Sequence, residues 1–190
     1  MQDSYDCITM GGGPAGSTVA ALVAEAGFRT LLVERERLPR FHVGESLMPE
    51  TYDTLQRLGL WETLQASRFV KKYSVQFVSR SGRESQPFFF KDHDPRERSQ
   101  TFQVERADFD KLLFDNAAAK GADCRDQTRV LEPIFEGDRA VGVRLQTADG
   151  ARRDVSAKVV VDATGQQTLL ASRLGLKVVN PNLRKAAIWT

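Results

Sequence analysis

The stretch ITMGGGPAGSTVAALVAEAGFRTLLVERE, Ile8 to Glu36, decides how the fold is read. Upstream, Tyr5 to Met10 is short, mostly apolar and partly β-branched, as a buried strand requires. Pro14 suits the first turn of a helix, and Ala15, Val19, Leu22, Val23 and Ala26 fall on one helical face before Gly27. Thr30 to Val33 then reads as a second strand, with Glu34 at its end. The predicted unit is strand, glycine turn, helix, strand.

Gly11, Gly13 and Gly16 fit the spacing G-x-G-x-x-G, and Glu34 stands about 20 residues further on, the two marks of a dinucleotide fingerprint. The spacing alone is weak evidence, since glycine is common in turns; the strand before it and the helix after it give it weight. On this reading Gly11 permits the tight turn, Gly13 lets backbone approach a pyrophosphate, and Gly16 lets helix pack on strand. Unpaired N–H groups at the helix start hold the anion, and Glu34 accepts hydrogen bonds from a ribose. Pro14, Ala15 and Arg35 join these as cofactor-binding candidates. The competing reading is a βαβ crossover with an incidental glycine turn and a solvated acid.

Composition sets the class. With 190 residues, 41% hydrophobic and 27% charged, the chain has material for a real core. A net charge of +2, with no basic stripe, gives no reason to expect nucleic acid. No apolar run reaches the roughly 20 residues of a membrane span, and the opening residues lack the signature of a signal peptide; a cytoplasmic protein is expected. Cys7 and Cys124 offer neither a disulfide framework nor metal-ligand spacing, and His42 and His93 add no metal site. Both cysteines read as small buried side chains.

Beyond the opening unit, Arg35 to Val43 reads as a loop broken by Pro39, and Met48, Tyr52, Leu55 and Leu58 as a helix closed by Gly59. Tyr73 to Val78, Glu84 to Phe90 and Thr101 to Val104 are expected as strands of an antiparallel insertion. Phe109, Leu112, Leu113 and Ala117 form a helix face ending at Gly121. Arg129 to Phe135 and Ala140 to Gln146 make a hairpin, with Val141, Val143 and Leu145 on one face. Ala151 to Ser156 and Lys158 to Val161 are expected as two further strands, the second a central parallel one. Asp162-Ala163-Thr164-Gly165 then forms a turn on the cofactor side of the sheet.

Three stretches together, GGGPAGSTVAALVAEAGFRTLLVERE, FQVERADFDKLLFDNAAAKGA and KVVVDATGQQTLLASRLGL, resemble the flavoprotein monooxygenase superfamily with its glutathione-reductase-type FAD fold. The resemblance implies an α/β, Rossmann-like FAD-binding domain with an inserted antiparallel layer. It assigns Arg106 to the ribityl and phosphate groups and places Asp162 and Gly165 against the cofactor. LPRFHVGESLMPE followed by FVKKYSVQFV is similar to the flavin-dependent halogenase branch, with Gly44 and Glu45 as its G-E pair, Ser46 following, and Lys72 as the catalytic lysine; Lys71 is the neighbouring alternative. Geranylgeranyl reductase-like enzymes share a similar proline loop and G-E-S stretch.

The resemblance implies reduced FAD from a separate reductase, oxygen and a halide ion as reactants, and a small-molecule or carrier-protein-tethered substrate toward which the lysine guides oxidised halogen. The cofactor carries the redox step and the protein binds and orients. It also implies three segments: residues 1–70 as the first part of the FAD-binding domain, 71–104 as inserted strands beginning a substrate layer, and 105–190 as the return to the FAD-binding domain. Two further segments of these families, a tryptophan-rich G-W-x-W-x-I-P stretch and a downstream G-D pair, are not in the sequence, so an N-terminal portion of a longer enzyme is expected; AAIWT at the end reads as strand-like. Hydroxylation, reduction and plain FAD binding remain alternatives to halogenation.

Several residues keep two readings. Lys72 is either a catalytic lysine or a solvated one at a strand start. Glu45 either faces the flavin or serves as a local acceptor near Met48, and Arg106 either meets the cofactor or pairs with Asp110 one turn along. Phe88 and Phe90 share one strand face and Phe89 takes the other, lining either a pocket or a core.

Overall fold

Strand β1 (Ser4–Met10), helix α1 (Pro14–Glu25) and strand β2 (Thr30–Val33) form where the apolar and glycine pattern places them. The computed structural model describes residues 4–183. The AAIWT run at the chain end lies outside the described residues.

After β2 come helices α2 (Thr51–Leu58) and α3 (Trp61–Gln65), then short strands β3 (Val70–Lys72), β4 (Ser74–Val75), β5 (Phe88–Phe89) and β6 (Thr101–Gln103). Helix α4 (Arg106–Ala119) leads into β7 (Asp123–Arg125), β8 (Arg129–Glu136), β9 (Arg139–Gln146) and β10 (Arg152–Asp162), and α5 (Leu169–Arg173) follows. One six-stranded sheet runs in the order β7-β2-β1-β10-β9-β8. Its first four strands are parallel and its last three form an antiparallel meander that shares β10 with them. This is a Rossmann-like α/β sheet carrying antiparallel strands at one edge.

Alternation across the sheet fills two cores. Leu32 of β2 faces α1, α2, α3 and α4 in one cluster with Trp61 and Phe102, while Leu31 and Val33 face the other cluster with Ile8, Met10, Val143 and Leu145. Among the described residues, no helix is long and apolar enough to cross a membrane.

Three expectations need correction. The two strands expected at 151–156 and 158–161 are one strand, β10, because Arg152 to Ser156 pair with β9 and Ser156 to Asp162 continue directly into pairing with β1. The insertion is less regular than its β-branched and aromatic content predicts. Of Glu84 to Phe90 only Phe88–Phe89 is strand, Phe90 opens a short 3₁₀ turn, and Val78 and Glu84 meet as an isolated bridge. Alternation therefore does not sort the three phenylalanines: Phe90 is buried, whereas Phe88 and Phe89 are 45% and 41% exposed. Strand β3 and helix α3, which local pattern did not announce, are held by long-range partners, β6 for the first and the aromatic core for the second.

Candidate functional site

A cleft of about 500 Å³ opens at the carboxyl ends of β1, β2 and β10, well inside the range of roughly 300–1,000 Å³ that small-molecule sites occupy. Its floor is the glycine turn. Gly11 has φ +105°, and a Cβ there would lie 2.4 Å from the Ala163 carbonyl oxygen; a Cβ on Gly16 would lie 1.9 Å from the Gly11 carbonyl oxygen. The turn after β1, the start of α1 and the turn after β10 are thus pressed together backbone to backbone, and the Ala163 N–H donates to the Met10 carbonyl at 2.9 Å.

Gly13 differs from these two. A Cβ built there would meet only the Arg40 Nη2 at 3.8 Å, so the space above it belongs to the cleft. Helix α1 starts at this point with Pro14 at its head and no side-chain cap, which leaves first-turn N–H groups directed outward, as anion binding requires.

Gly11, Gly13, Pro14, Ala15, Glu34, Arg35, Arg106 and Gly165 all line the cleft. Gly16 lies behind it as a packing residue. Asp162 is turned into its own loop, where Oδ1 accepts from the Thr164 hydroxyl at 2.6 Å and Oδ2 from the Leu170 N–H at 2.7 Å, so it shapes the turn that brings Gly165 to the cleft.

Glu34 is only 5% exposed, and its carboxylate is already engaged. Oε2 accepts from the Gly12 N–H at 2.9 Å and Oε1 from the Glu36 N–H at 3.0 Å. Gly12, the glycine outside the fingerprint spacing, is needed for this approach: a Cβ there would sit 2.8 Å from the Glu34 Cβ.

Sequence reasoning did not find Arg40. Its Nη1 donates to Asp110 Oδ2 at 2.8 Å, and its Nη2 lies 3.4 Å from Glu34 Oε2. Burial alone would lower its pKa, but the carboxylates of Glu34 and Asp110 outweigh burial and hold it above the usual arginine value. The i, i+4 spacing did announce the Arg106–Asp110 pair, which is present with Nε to Oδ1 at 2.8 Å. Arg106 nonetheless also lines the cleft, so the two readings of it are compatible. His42 and the β8 residues Arg129 to Leu131 complete the wall, and nothing local in the sequence marks them.

Gly44, Glu45, Ser46 and Lys72 stand together outside the cleft lining. The Lys72 Nζ donates to the Ser46 Oγ at 2.7 Å and to the Leu47 carbonyl at 3.1 Å, and lies 5.3 Å from the centre of the Phe90 ring. Burial lowers its pKa below that of an ordinary lysine, whereas Lys71 is exposed. Glu45 accepts from the Gly44 N–H at 3.0 Å, a contact within its own turn.

Residues 4–187 match the family described as the FAD binding domain. The chain belongs to that family. Among similar curated proteins is the 1H-pyrrole-2-carbonyl-[peptidyl-carrier protein] chlorinase of Pseudomonas fluorescens, 36% identical over 97% of this chain and 44% of that protein. The corresponding brominase of Pseudoalteromonas luteoviolacea is 34% identical over 91% of this chain and 40% of its own length. Among solved structures, a myxobacterial chondrochloren halogenase, described as an FAD-dependent halogenase, superposes with a TM-score of 0.81 at 39% identity, covering 88% of this chain and 38% of that one. The chain thus spans less than half the length of these relatives.

The residues of the cleft fit FAD. Glycine backbone, an uncapped helix start and the lining arginines, with Arg40 nearest Gly13, suit the diphosphate; the space above Gly13 is what a bound pyrophosphate needs.

Proposed function

We propose that this chain is the cofactor-binding part of a flavin-dependent halogenase acting on an aromatic group, with a carrier-tethered substrate favoured by the two pyrrolyl-carrier relatives. The observation that carries the halogenase reading is Lys72: a half-buried ammonium tethered to Ser46 of the G-E-S loop.

In this reading Gly11, Gly13, Pro14, Ala15 and Gly16 shape the diphosphate seat, Glu34 and Arg35 hold the adenosine end, and Arg106 and Gly165 flank the chain toward the flavin ring. Gly44, Glu45 and Ser46 would carry the lysine's tether beside the cofactor, and Asp162 fixes the turn beneath Gly165. When bound, FAD supplies the redox chemistry, with reducing equivalents from a separate reductase and a halide as co-reactant. Lys72 holds a proton at Nζ more loosely than an exposed lysine does, which suits a group that donates a hydrogen bond to an oxidised halogen and directs it. Residues 71–104 begin the substrate-facing layer, between the two segments, 1–70 and 105–190, of the FAD-binding domain.

The test is made on the full-length protein. Native mass spectrometry is expected to show one FAD per chain, and Gly13→Val to abolish its retention, because the valine side chain fills the diphosphate seat. Lys72→Ala is expected to keep FAD and lose halide incorporation. Stoichiometric FAD in the valine variant would overturn the cleft assignment, and undiminished halogenation without Lys72 would remove the lysine from the mechanism.

A further inference from the structure

One line of charged side chains runs from the cleft to the loop that carries Ser46, the partner of Lys72. Glu34 contacts Arg40, Arg40 contacts Asp110, and Asp110 takes both Nε and Nη2 of Arg106, at 2.8 and 3.0 Å. Asp110 is fully buried, and the side chains of the two arginines are 9% and 10% exposed. A carboxylate so placed has no water to share its charge, so both guanidinium groups are fixed by it.

Arg106 has one arm left over. Its Nη1 donates to the Val43 carbonyl at 3.0 Å, with the Gly44 carbonyl at 3.5 Å. Gly44 has φ +118°, and a Cβ there would lie 2.9 Å from that same nitrogen, so the residue is shaped to receive the guanidinium. Two residues further on, the Ser46 hydroxyl accepts from Lys72.

We propose that Asp110 is a positioning residue: by clamping Arg106 against the Val43 and Gly44 carbonyls it fixes the 43–46 loop, and through Ser46 the Lys72 ammonium, relative to the cofactor cleft. The loop has a second support, since the Val104 N–H donates to the Glu45 carbonyl and the Leu47 N–H to the Phe102 carbonyl. That backbone ladder sets the loop's distance from β6. The arginine holds the end of the loop that precedes the ladder, at the Val43 and Gly44 carbonyls. The meaning for catalysis rests on the function proposed above, but the placement of Lys72 can be read directly.

The experiment acylates the full-length, FAD-loaded protein with an amine-reactive ester over a series of pH values, so that each lysine's free-amine rate is read apart from its pKa, and follows each lysine by peptide mass spectrometry. In Asp110→Asn, Lys72 is expected to react faster than in the parent by at least about twofold, the lower end of coupling between contacting residues. Lys158, within β10 and paired with Asp6, serves as the reference and is expected to be unchanged. Ser46→Ala is expected to give the same acceleration, and the double variant to react no faster than the quicker single one.

An unchanged Lys72 rate in folded Asp110→Asn, or two accelerations that multiply in the double variant, would overturn the proposal. Weakened FAD retention with Lys72 unmoved would overturn it too, by confining Asp110 to the cleft. If circular dichroism shows Asp110→Asn unfolded, Arg106→Lys takes its place with the same expectations, since lysine keeps the charge but cannot span Asp110 and the two carbonyls. A parent protein that takes up no FAD would sink the proposed function and leave the labelling comparison standing.

Discussion

The two sides of the site are closed by opposite means. At the ends of β1 and β10, backbone meets backbone at Gly11 and Gly16 and the Glu34 side chain at Gly12, and the fit depends on the side chains missing at all three. Across residues 43–104, side chains add to a short backbone ladder: Arg106 on two carbonyls, Lys72 on Ser46, the Trp61 indole N–H on Glu97 at 3.1 Å, and Phe102 in the core. The first side fails when atoms are added. The second fails when they are taken away.

The comparison breaks most visibly at Phe102 and Gly16. Phe102 is fully buried and packs edge to face on Trp61 at 5.4 Å between ring centroids; Phe102→Ala is expected to lose about 3–5 kcal/mol in urea unfolding. Phe89, 41% exposed in the same segment, is expected to lose less than about 1 kcal/mol on the same change. Equal losses at the two positions would mean that the insertion is packed as tightly as the core beneath it.

Gly16→Ala is expected to lose about 3 kcal/mol, because its methyl meets a carbonyl oxygen that belongs to the turn itself and has nowhere to move. Gly13→Ala, three residues earlier, is expected to leave stability within about 0.5 kcal/mol of the parent, a cap-position effect only. It should nonetheless weaken FAD binding, read by flavin fluorescence. A stable Gly16→Ala protein would show that the turn can open.

A smaller effect concerns Lys72. Its folded pKa lies below its unfolded one, so between the two values the unfolded chain binds more protons and stability rises with pH. Unfolding followed across the alkaline range is expected to show this rise in the parent and not in Lys72→Met. The smallest effect is at Cys124, whose thiol burial, with Asp123 and Asp115 adding to it, pushes up to about 12. Native protein is expected to resist iodoacetamide at neutral pH there, and to react once unfolded.

The opening unit was legible because each of its signals is local. β1 begins one residue earlier than the sequence indicates, β2 matches at both ends, and Pro14 starts α1. Gly59 and Gly121 follow their helices with φ +75° and +100°, as stop signals should. What was not legible depends on partners far along the chain. β3 exists because β6 lies beside it, Arg40 belongs to the site because Asp110 reaches it, and the role of Gly12 follows from the position of Glu34. The continuity of β10 was hidden because its two halves obey different rules, an exposed alternating stretch against β9 and a run of valines against β1.

That shared strand has a consequence for synthesis. Ser4 pairs with Ser156 and Met10 with Asp162, so the first described strand to leave the ribosome waits for the last described one before its place in the sheet is filled. At usual elongation rates the wait is roughly 8–30 s. During it the exposed edge of β1 has only β2 beside it, and the glycine turn lacks the Ala163 backbone that closes it from above. The nucleotide seat is therefore encoded at once but assembled only later, and a nascent chain has no finished place for its cofactor until β10 has emerged.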